Sequence, residues 1–276
     1  YVRERIISPL GMNRSYFRKE EFEKEKDAAT PYILSKDGDQ IPSIYRSGRV
    51  YYPHGGLLSN VRDLSRYLQM YINGGKLEKN RIISEKSLEE MESFGIPTPN
   101  IEEPFGKTSF GYGLKITQDF FGRKLIGHGG SVLVSTGYIG FVPEENISIA
   151  LLANGKGYPL AHLGMTGLAL LLGRNPEDCP FVFRERALKE LEGIYETYKG
   201  TMKAKVRRMG DLMEVKIEDK YTQNISRLIP DKIGEDRRTF YYLEGCEKIP
   251  VTFEINEKDI DLFYERYRLK KRDNLS

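Results

Sequence analysis

The chain has 276 residues, enough for one large domain or two ordinary ones, and its composition, 39% hydrophobic and 30% charged, is that of a globular protein rather than a disordered one. The 43 basic and 40 acidic residues leave a net charge of +3, so no strong positive field exists to attract nucleic acid or a membrane, and we expect neither as a partner. Cys179 and Cys246 lie far apart with no metal or redox spacing, which favours a reducing, cytoplasmic compartment.

Helical signals dominate the first part of the chain. The opening YVRERIISPLGM has near-helical apolar spacing that stops before a Ser-Pro pair, so the chain is expected to begin inside an element. Residues 19–52 have little periodicity and predict a long surface loop. The run SNVRDLSRYLQMYINGG predicts an amphipathic helix, capped by Ser59 or Asn60, with Asp63 near the positive end of the helix dipole. A further capped helix is predicted over about 84–94.

After residue 104 the period changes from helix to strand. Four runs, SFGYGLKIT, RKLIGHGG, STGYIGFVP and ISIALLAN, are rich in β-branched and aromatic residues and are separated by turn residues. We expect the last to be buried on both faces, with the apolar helix over 158–172 buried against the sheet, since this helix is too short to span a bilayer. These features predict an α+β domain over 1–182, with an antiparallel sheet and packed helices.

The composition shifts again towards the C-terminus. From about Leu191, alternating runs at nearly regular spacing predict an antiparallel meander closed into a small β-barrel, assigned to a second domain over 186–276. Its aromatic residues either enclose a small apolar ligand or, more often in small barrels, fill the interior. They are Tyr195, Tyr198, Tyr241, Tyr242, Phe253, Phe263, Tyr264 and Tyr267.

One of three histidines stands out as a candidate site residue. His128 lies between a strand-like run and a Gly-Gly pair, and such a pair inside a strand suggests that something approaches the main chain closely. His54 is expected to be an ordinary loop residue, and His162, in the apolar helix, a satisfied core residue. No ligand spacing supports a zinc site built from these histidines and a cysteine, so we expect no metal and no cofactor.

Three segments resemble the β-lactamase and penicillin-binding-protein-like serine hydrolases, a class C β-lactamase-related and peptidase S12-like family. VRERIISPLGMNRSYF resembles the family's PLGM helix-and-turn, and GGLLSNVRDLSRYLQMYINGG is similar to its helix ending in a double glycine. FGYGLKI and GHGGSVLVSTGYIGFVPEENISIALLAN resemble the strands that carry its third catalytic motif. The resemblance, which runs over about 1–173, implies a partial β-lactamase/transpeptidase-like fold, here followed by a lipocalin-like barrel that covers the active-site mouth or joins subunits.

The resemblance implies a mechanism. In this family a serine in an S-x-x-K motif attacks a carbonyl, a lysine and a tyrosine (Y-x-N) or serine move protons, and a K-T-G or H-x-G strand closes the pocket. His128 would then supply a donor or partial positive charge, while Gly129 and Gly130 would let substrate lie along the strand edge near main-chain N–H groups. Ser131 is a further candidate for the pocket lining, and Tyr112 is either pocket lining or core.

The sequence departs from the family pattern in its catalytic motifs. No serine has a lysine three residues later, and the only Y-x-N, at Tyr71, falls at a helix end where the family has an ordinary terminus. The family's missing motifs precede the PLGM element, so we expect them upstream of Tyr1, with this chain inactive alone. Its sheet should then need a complementing N-terminal segment, another chain or a rearranged packing.

Two hypotheses about function follow. The first is part of a serine hydrolase that cleaves an amide, ester or peptide bond of a small-molecule or peptide substrate through an acyl-serine. The second is a non-catalytic protein that binds a ligand or partner chain through a remnant hydrolase fold and the barrel. The barrel and an exposed sheet edge favour association into a homo-oligomer under either hypothesis.

Overall fold

The computed structural model describes residues 1–45, 48, 50–93, 95–98, 105–218, 223–257 and 259–272. The chain separates into two units, Tyr1–Cys179 and Pro180–Ser276. Among the described residues, none of the helices is both long and apolar enough to cross a membrane.

The first unit has a six-stranded antiparallel sheet with helices packed on it. The elements in chain order are a π-helical turn Arg3–Ile7, α1 Lys19–Phe22, β1 Tyr32–Leu34, β2 Gln40–Pro42, α2 Val61–Ile72, β3 Lys76–Leu77, β4 Asn80–Arg81, α3 Glu85–Met91, β5 Ile96–Pro97, β6 Thr108–Phe110, β7 Lys115–Thr117, β8 Leu125–Val132, β9 Ser135–Val142, β10 Ile147–Ala153 and α4 Leu160–Leu171. The strand order of the sheet is β10-β9-β8-β7-β6-β5, and β1–β2 and β3–β4 form separate two-stranded sheets.

Helix α2 begins where the sequence predicts and is fixed by its first turn. The Asn60 side chain caps it by accepting from the backbone N–H groups of Arg62 and Asp63. The buried carboxylate of Asp63 accepts from the Arg14 N–H at 2.8 Å and the Ser15 hydroxyl at 2.7 Å. Asp63 therefore joins the helix start to the preceding segment, in addition to its place at the positive end of the dipole.

The other face of α2 closes the core against the sheet. Tyr71 is buried and stacks on Phe141 of β9 with ring centroids 5.3 Å apart. Its hydroxyl lies 2.9 Å from that of Tyr67. The Y-x-N tyrosine is thus a core residue near the end of α2.

Glycines on β8, β9 and α4 form a socket for the ring of Tyr138. A Cβ added at Gly164 would lie 2.4 Å from this ring, and one added at Gly140 would lie 2.8 Å from its hydroxyl. One added at Gly127 would lie 3.2 Å from the same hydroxyl. Glycine at these positions lets an aromatic side chain lie flat between the sheet and α4.

Two expectations about burial are wrong. The strand β10 is half-buried rather than fully buried, because it is the end strand of the sheet and no described residue pairs with its outer edge. Helix α4 packs on β9 and β10 with one face only. His162 lies on its other face and is exposed instead of being a core residue. That face also exposes Leu163, Leu170 and Leu171.

Helix α3 is shorter than the predicted range. It is capped by Ser84 and ends at Met91, and the predicted end at Phe94 lies outside the described residues. At its C-cap, burial raises the pKa of Glu92 to about 7; Lys124 opposes this rise and Glu144 adds to it.

The predicted barrel is confirmed and is closed. Eight antiparallel strands, β11 to β18, pair in sequence order, and β18 pairs back with β11. They are β11 Gly193–Glu196, β12 Lys203–Met209, β13 Leu212–Glu218, β14 Gln223–Ile233, β15 Arg237–Glu244, β16 Glu247–Ile255, β17 Ile260–Tyr264 and β18 Tyr267–Lys271. The run IDLFYERYRL forms the hairpin of β17 and β18, and Glu265 takes a left-handed φ of 51° in its turn.

Side chains fill the barrel. Tyr195, Tyr242, Phe253 and Tyr264 are buried in its core, whereas Tyr198 is exposed. The core continues through aliphatic residues, which include Val206, Val215, Leu228, Val251, Leu262 and Leu269.

A buried arginine holds helix α5, Pro180–Glu190, to the barrel. Arg238 donates to the Ala187 carbonyl and to the Glu190 carboxylate, each at 2.6 Å. Cations at a helix C-terminus are favoured by the dipole.

Substituting the socket glycine on α4 should destabilise the first unit. Gly164→Ala places a methyl group into the Tyr138 ring, and we expect a loss of about 2 kcal/mol, the usual scale of overpacking. Gly167→Ala is the matched control on the same helix, because its Cβ would meet only the flexible end of Ile149. That control should gain up to about 1 kcal/mol from helix propensity. Urea denaturation measures both, and equal stabilities for the two variants would contradict the socket.

Glu92→Gln should stabilise the protein as the pH rises above about 4.5, with the full effect above about pH 7. The folded-state pKa of Glu92 lies above its ordinary value of 4.5, so the stability it contributes is complete below pH 4.5 and is lost as the pH rises through about 7. We expect equal stability of variant and wild type at pH 4.5, and a variant more stable by about 1 kcal/mol at pH 8, a value reduced for solvent screening. Thermal unfolding at both pH values checks this, and a variant without advantage at pH 8 would argue against a strained carboxylate.

Candidate functional site

Strand β8, which carries His128, is paired along nearly its whole first edge but only along the beginning of its second edge. Strand β9 pairs with β8 over Ile126–Val132, and β7 pairs with it over Leu125–Gly127. Within the described ranges, nothing pairs with the second edge of His128–Val132. The main-chain groups on that edge therefore lack a ladder partner.

Residues 128–132 of this strand line an open cleft of about 1090 Å³, together with parts of β9 and β10. One wall is formed by the sheet. The other is formed by residues between 14 and 29 and by the loop before α2. The lining residues include Arg14, Tyr16, Glu25, Asp27, Tyr45, His54, Ser59, Asn60, His128, Gly129, Gly130, Ser131, Thr136, Tyr138 and Asn154.

The predicted site residues divide between the two faces of β8. Because side chains alternate along a strand, His128 and Gly130 share one face while Gly129 and Ser131 share the other. A Cβ at Gly130 would meet nothing within 4 Å, whereas one at Gly129 would lie 3.8 Å from Tyr138. Gly130 is therefore the open position, and Gly129 borders the aromatic socket.

The two remaining candidates differ in their surroundings. The Ser131 hydroxyl lies in the cleft, 3.3 Å from that of Thr136, which donates to the Gly155 carbonyl. Tyr112 is 66% exposed, in the loop before β7, and does not line the cleft. The structure thus brings four of the five predicted residues together.

The opposite wall carries a charged cluster that sequence reasoning missed. Arg14 forms ion pairs with Asp27 and, at 2.9 Å, with Glu25, and the hydrogen bonds to Asp27 and Glu25 raise the pKa of the guanidinium. A hydrogen bond to Glu25 raises the pKa of Tyr16 to about 12. Tyr16 is therefore protonated near neutral pH and is unsuited to act as a general base there. No local sequence signal joins these residues, since Arg14 and Tyr16 follow the PLGM run whereas Glu25 and Asp27 lie in the stretch without periodicity.

His54 is a second histidine of the cleft, which corrects the expectation of an ordinary loop residue. The sequence contained a signal that His54 belongs to the cleft, because His54 and His128 are each followed by two glycines. Among the described residues, no group of His, Cys, Asp and Glu has a geometry that could hold a metal ion.

Two family models match the chain. The β-lactamase model matches residues 1–173, and the Pab87 octamerisation domain model matches residues 176–270. A search of the curated proteins finds no match.

Solved structures resemble the chain to different degrees. The octameric penicillin-binding protein homologue from Pyrococcus abyssi is 45% identical, with a TM-score of 0.84 over 98% of this chain and 59% of that one. The chain thus spans less than two thirds of that relative. A penicillin-binding protein from Bacillus halodurans is 18% identical over 62% of this chain and 48% of its own, with a TM-score of 0.49. A D-stereospecific amidohydrolase from a Streptomyces species is 19% identical over 56% and 43%, with a TM-score of 0.45.

The β-lactamase model covers more than half of the chain, and the Pyrococcus abyssi structure extends the likeness through the barrel. Both agree with the three segments that resembled this family in the sequence. The chain therefore belongs to the β-lactamase family.

Proposed function

We propose that the chain is the C-terminal part of a serine hydrolase that cleaves an amide, ester or peptide bond through an acyl-serine. The free edge of His128–Val132 beside the cleft is the observation that carries this proposal. Unpaired main-chain N–H groups on such an edge can stabilise the negative charge that develops on a carbonyl oxygen.

Each predicted residue has a distinct part in the proposal. His128 donates to the substrate or to the developing oxyanion, and the open space at Gly130 lets an extended substrate lie along the strand. Gly129 allows the Tyr138 ring to support the strand from behind. Ser131 contacts substrate rather than attacking it, because its sequence context has no lysine at the fourth position. Tyr112 is given no role in the proposal, because it is not among the residues that line the cleft.

The nucleophile and its base are proposed to come from a complementing segment. None of the serines of this chain has the S-x-x-K spacing, and Tyr71 is buried away from the cleft. The outer edge of β10 and the exposed leucines of α4 support such a segment, since a free strand edge beside an apolar helix face favours added structure.

The barrel is proposed to join subunits into a homo-oligomer. The matching domain model is an octamerisation domain, and the homologue from Pyrococcus abyssi is octameric. The filled interior of the barrel favours subunit association over binding of a ligand inside it. The proposed likeness to lipocalins is therefore limited to the closed arrangement of eight antiparallel strands.

A fluorophosphonate probe tests the proposed chemistry. The chain alone should not be labelled, whereas the chain joined to an upstream segment with S-x-x-K should be. In the joined protein, His128→Ala should slow labelling at least roughly tenfold, because a donor to the oxyanion is lost. His162→Ala is the matched control, since this histidine is exposed on α4 outside the cleft.

Two outcomes would count against the proposal. Labelling of the joined protein that is unaffected by His128→Ala would remove His128 from the mechanism. A joined protein that is never labelled, while the chain alone binds a hydrophobic probe tightly, would favour the non-catalytic binding alternative.

Native mass spectrometry tests the proposed assembly. The full chain should form homo-oligomers, and deletion of the second unit, Pro180–Ser276, should reduce their size, with circular dichroism as the check on folding. A monodisperse monomer that melts cooperatively would contradict both the self-association and the need for a complementing segment.

A further inference from the structure

The outer surface of the barrel is largely uncharged on β15 and β16. Side chains alternate along a strand, and Phe240, Tyr242, Val251 and Phe253 lie in the barrel core, so the residues between them face outwards. Three successive cross-strand pairs of these two strands face outwards, and only one of their six members is charged. We call them the β15–β16 wall, and the pairs are Leu243 with Lys248, Tyr241 with Pro250, and Thr239 with Thr252.

The corresponding surface of β12 and β13 is charged throughout. Its members are held by one another, since Arg207 donates to Glu214 at 2.7 Å and Lys216 pairs with Glu218 at 2.6 Å. Polar side chains are the ordinary outer face of an antiparallel sheet in water, so the β15–β16 wall is the exception within this barrel. The three charged pairs are Lys203 with Glu218, Lys205 with Lys216, and Arg207 with Glu214.

The β15–β16 wall continues onto both neighbouring strands. Ile229 of β14 pairs with Tyr241, and Phe263 of β17 pairs with Thr252, so both residues also face outwards. At the end of the wall, Leu243 is 58% exposed. An apolar surface that extends over four strands and lies open to water is typical of an interface with another protein.

The outward charges of β16 lie at opposite ends of the strand. Lys248 is near its beginning, where the ammonium group lies 4.3 Å from the centroid of the Tyr241 ring, and Glu254 is near its end. Glu254 faces Arg237 across the ladder. In the described part of the chain, the Glu254 carboxylate accepts no hydrogen bond and joins no ion pair. A second β16 strand that runs antiparallel to the first would therefore place opposite charges against each other at both ends.

We propose that the β15–β16 wall packs against the same wall of a second copy of the chain, with the two β16 strands antiparallel. A two-fold axis perpendicular to the strands brings Lys248 of each copy to Glu254 of the other, and it covers Tyr241 and Leu243. Such a contact is isologous, so one patch serves both copies. This inference rests on the proposed role of the barrel in joining subunits, and it names the surface that does so.

Exchange of the two charges tests the antiparallel contact. In the full chain, Lys248→Glu and Glu254→Lys should each raise the dissociation constant of the homo-oligomer roughly tenfold, because like charges then meet at both ends of the contact. The double variant Lys248→Glu/Glu254→Lys should recover most of the wild-type association, since it restores both opposite pairs. Sedimentation velocity over a dilution series measures each constant.

A charge placed in the apolar part of the wall tests the surface itself. Leu243→Lys should raise the dissociation constant at least roughly tenfold, because a two-fold contact buries the new ammonium group twice. Ile194→Lys is the matched control: Ile194 is 47% exposed on β11, on the opposite side of the closed barrel, and this variant should associate like the wild type. Circular dichroism melting checks that every variant is folded, and the charge exchange remains decisive if Leu243→Lys does not fold.

The contrary outcomes are distinct. If the wild type forms no homo-oligomer at any concentration, the proposed role of the barrel and this inference fail together. If it associates and neither Leu243→Lys nor the single charge variants weaken the association, the role of the barrel stands and the assignment of the β15–β16 wall is overturned. The assignment is also overturned if Ile194→Lys alone dissociates the assembly. If the single charge variants weaken association and the double variant does not recover it, the antiparallel arrangement is overturned.

Discussion

The one-sided pairing of β8 is the constraint on which the site depends. A strand inside a sheet has its main-chain groups engaged on both edges, but β7 pairs with β8 only as far as Gly127. From His128 onwards, β9 is the one strand in the described part of the chain that pairs with β8. The strand stays extended because one full ladder supports it, and its second edge stays open to the cleft. Any ligand that offers its own donors and acceptors in an extended form can complete that edge.

Glycine serves two different purposes around this strand. Gly127, Gly140 and Gly164 clear space for the Tyr138 ring, whose burial stiffens the sheet beneath the site. Gly130 clears space on the cleft side, where nothing lies within 4 Å of an added Cβ. The same residue type thus supports packing on one face and access on the other, because successive side chains of a strand point to opposite faces.

The two units differ in whether their sheets have free edges: the barrel is closed and the sheet of the first unit is open. The barrel closes on itself by pairing β18 with β11, so its backbone groups are engaged and its interior is filled by side chains. The first unit keeps an end strand, β10, and an apolar helix face, α4, without described partners. Closure makes the barrel self-sufficient, whereas open edges and apolar faces favour added polypeptide.

Local patterns determined the α2 helix with its cap, the strand-rich segment, the antiparallel barrel and the candidate His128, because hydrophobic period, capping residues and glycine pairs depend on neighbours in the chain. The tertiary structure alone decided that His54 and Arg14 reach the same cleft as His128, that His162 is exposed, and that Gly127 and Gly129 of β8 face a tyrosine. These outcomes depend on which faces and edges meet across long sequence separations, and an apolar helix such as α4 has the same sequence pattern whether one or both of its faces are covered.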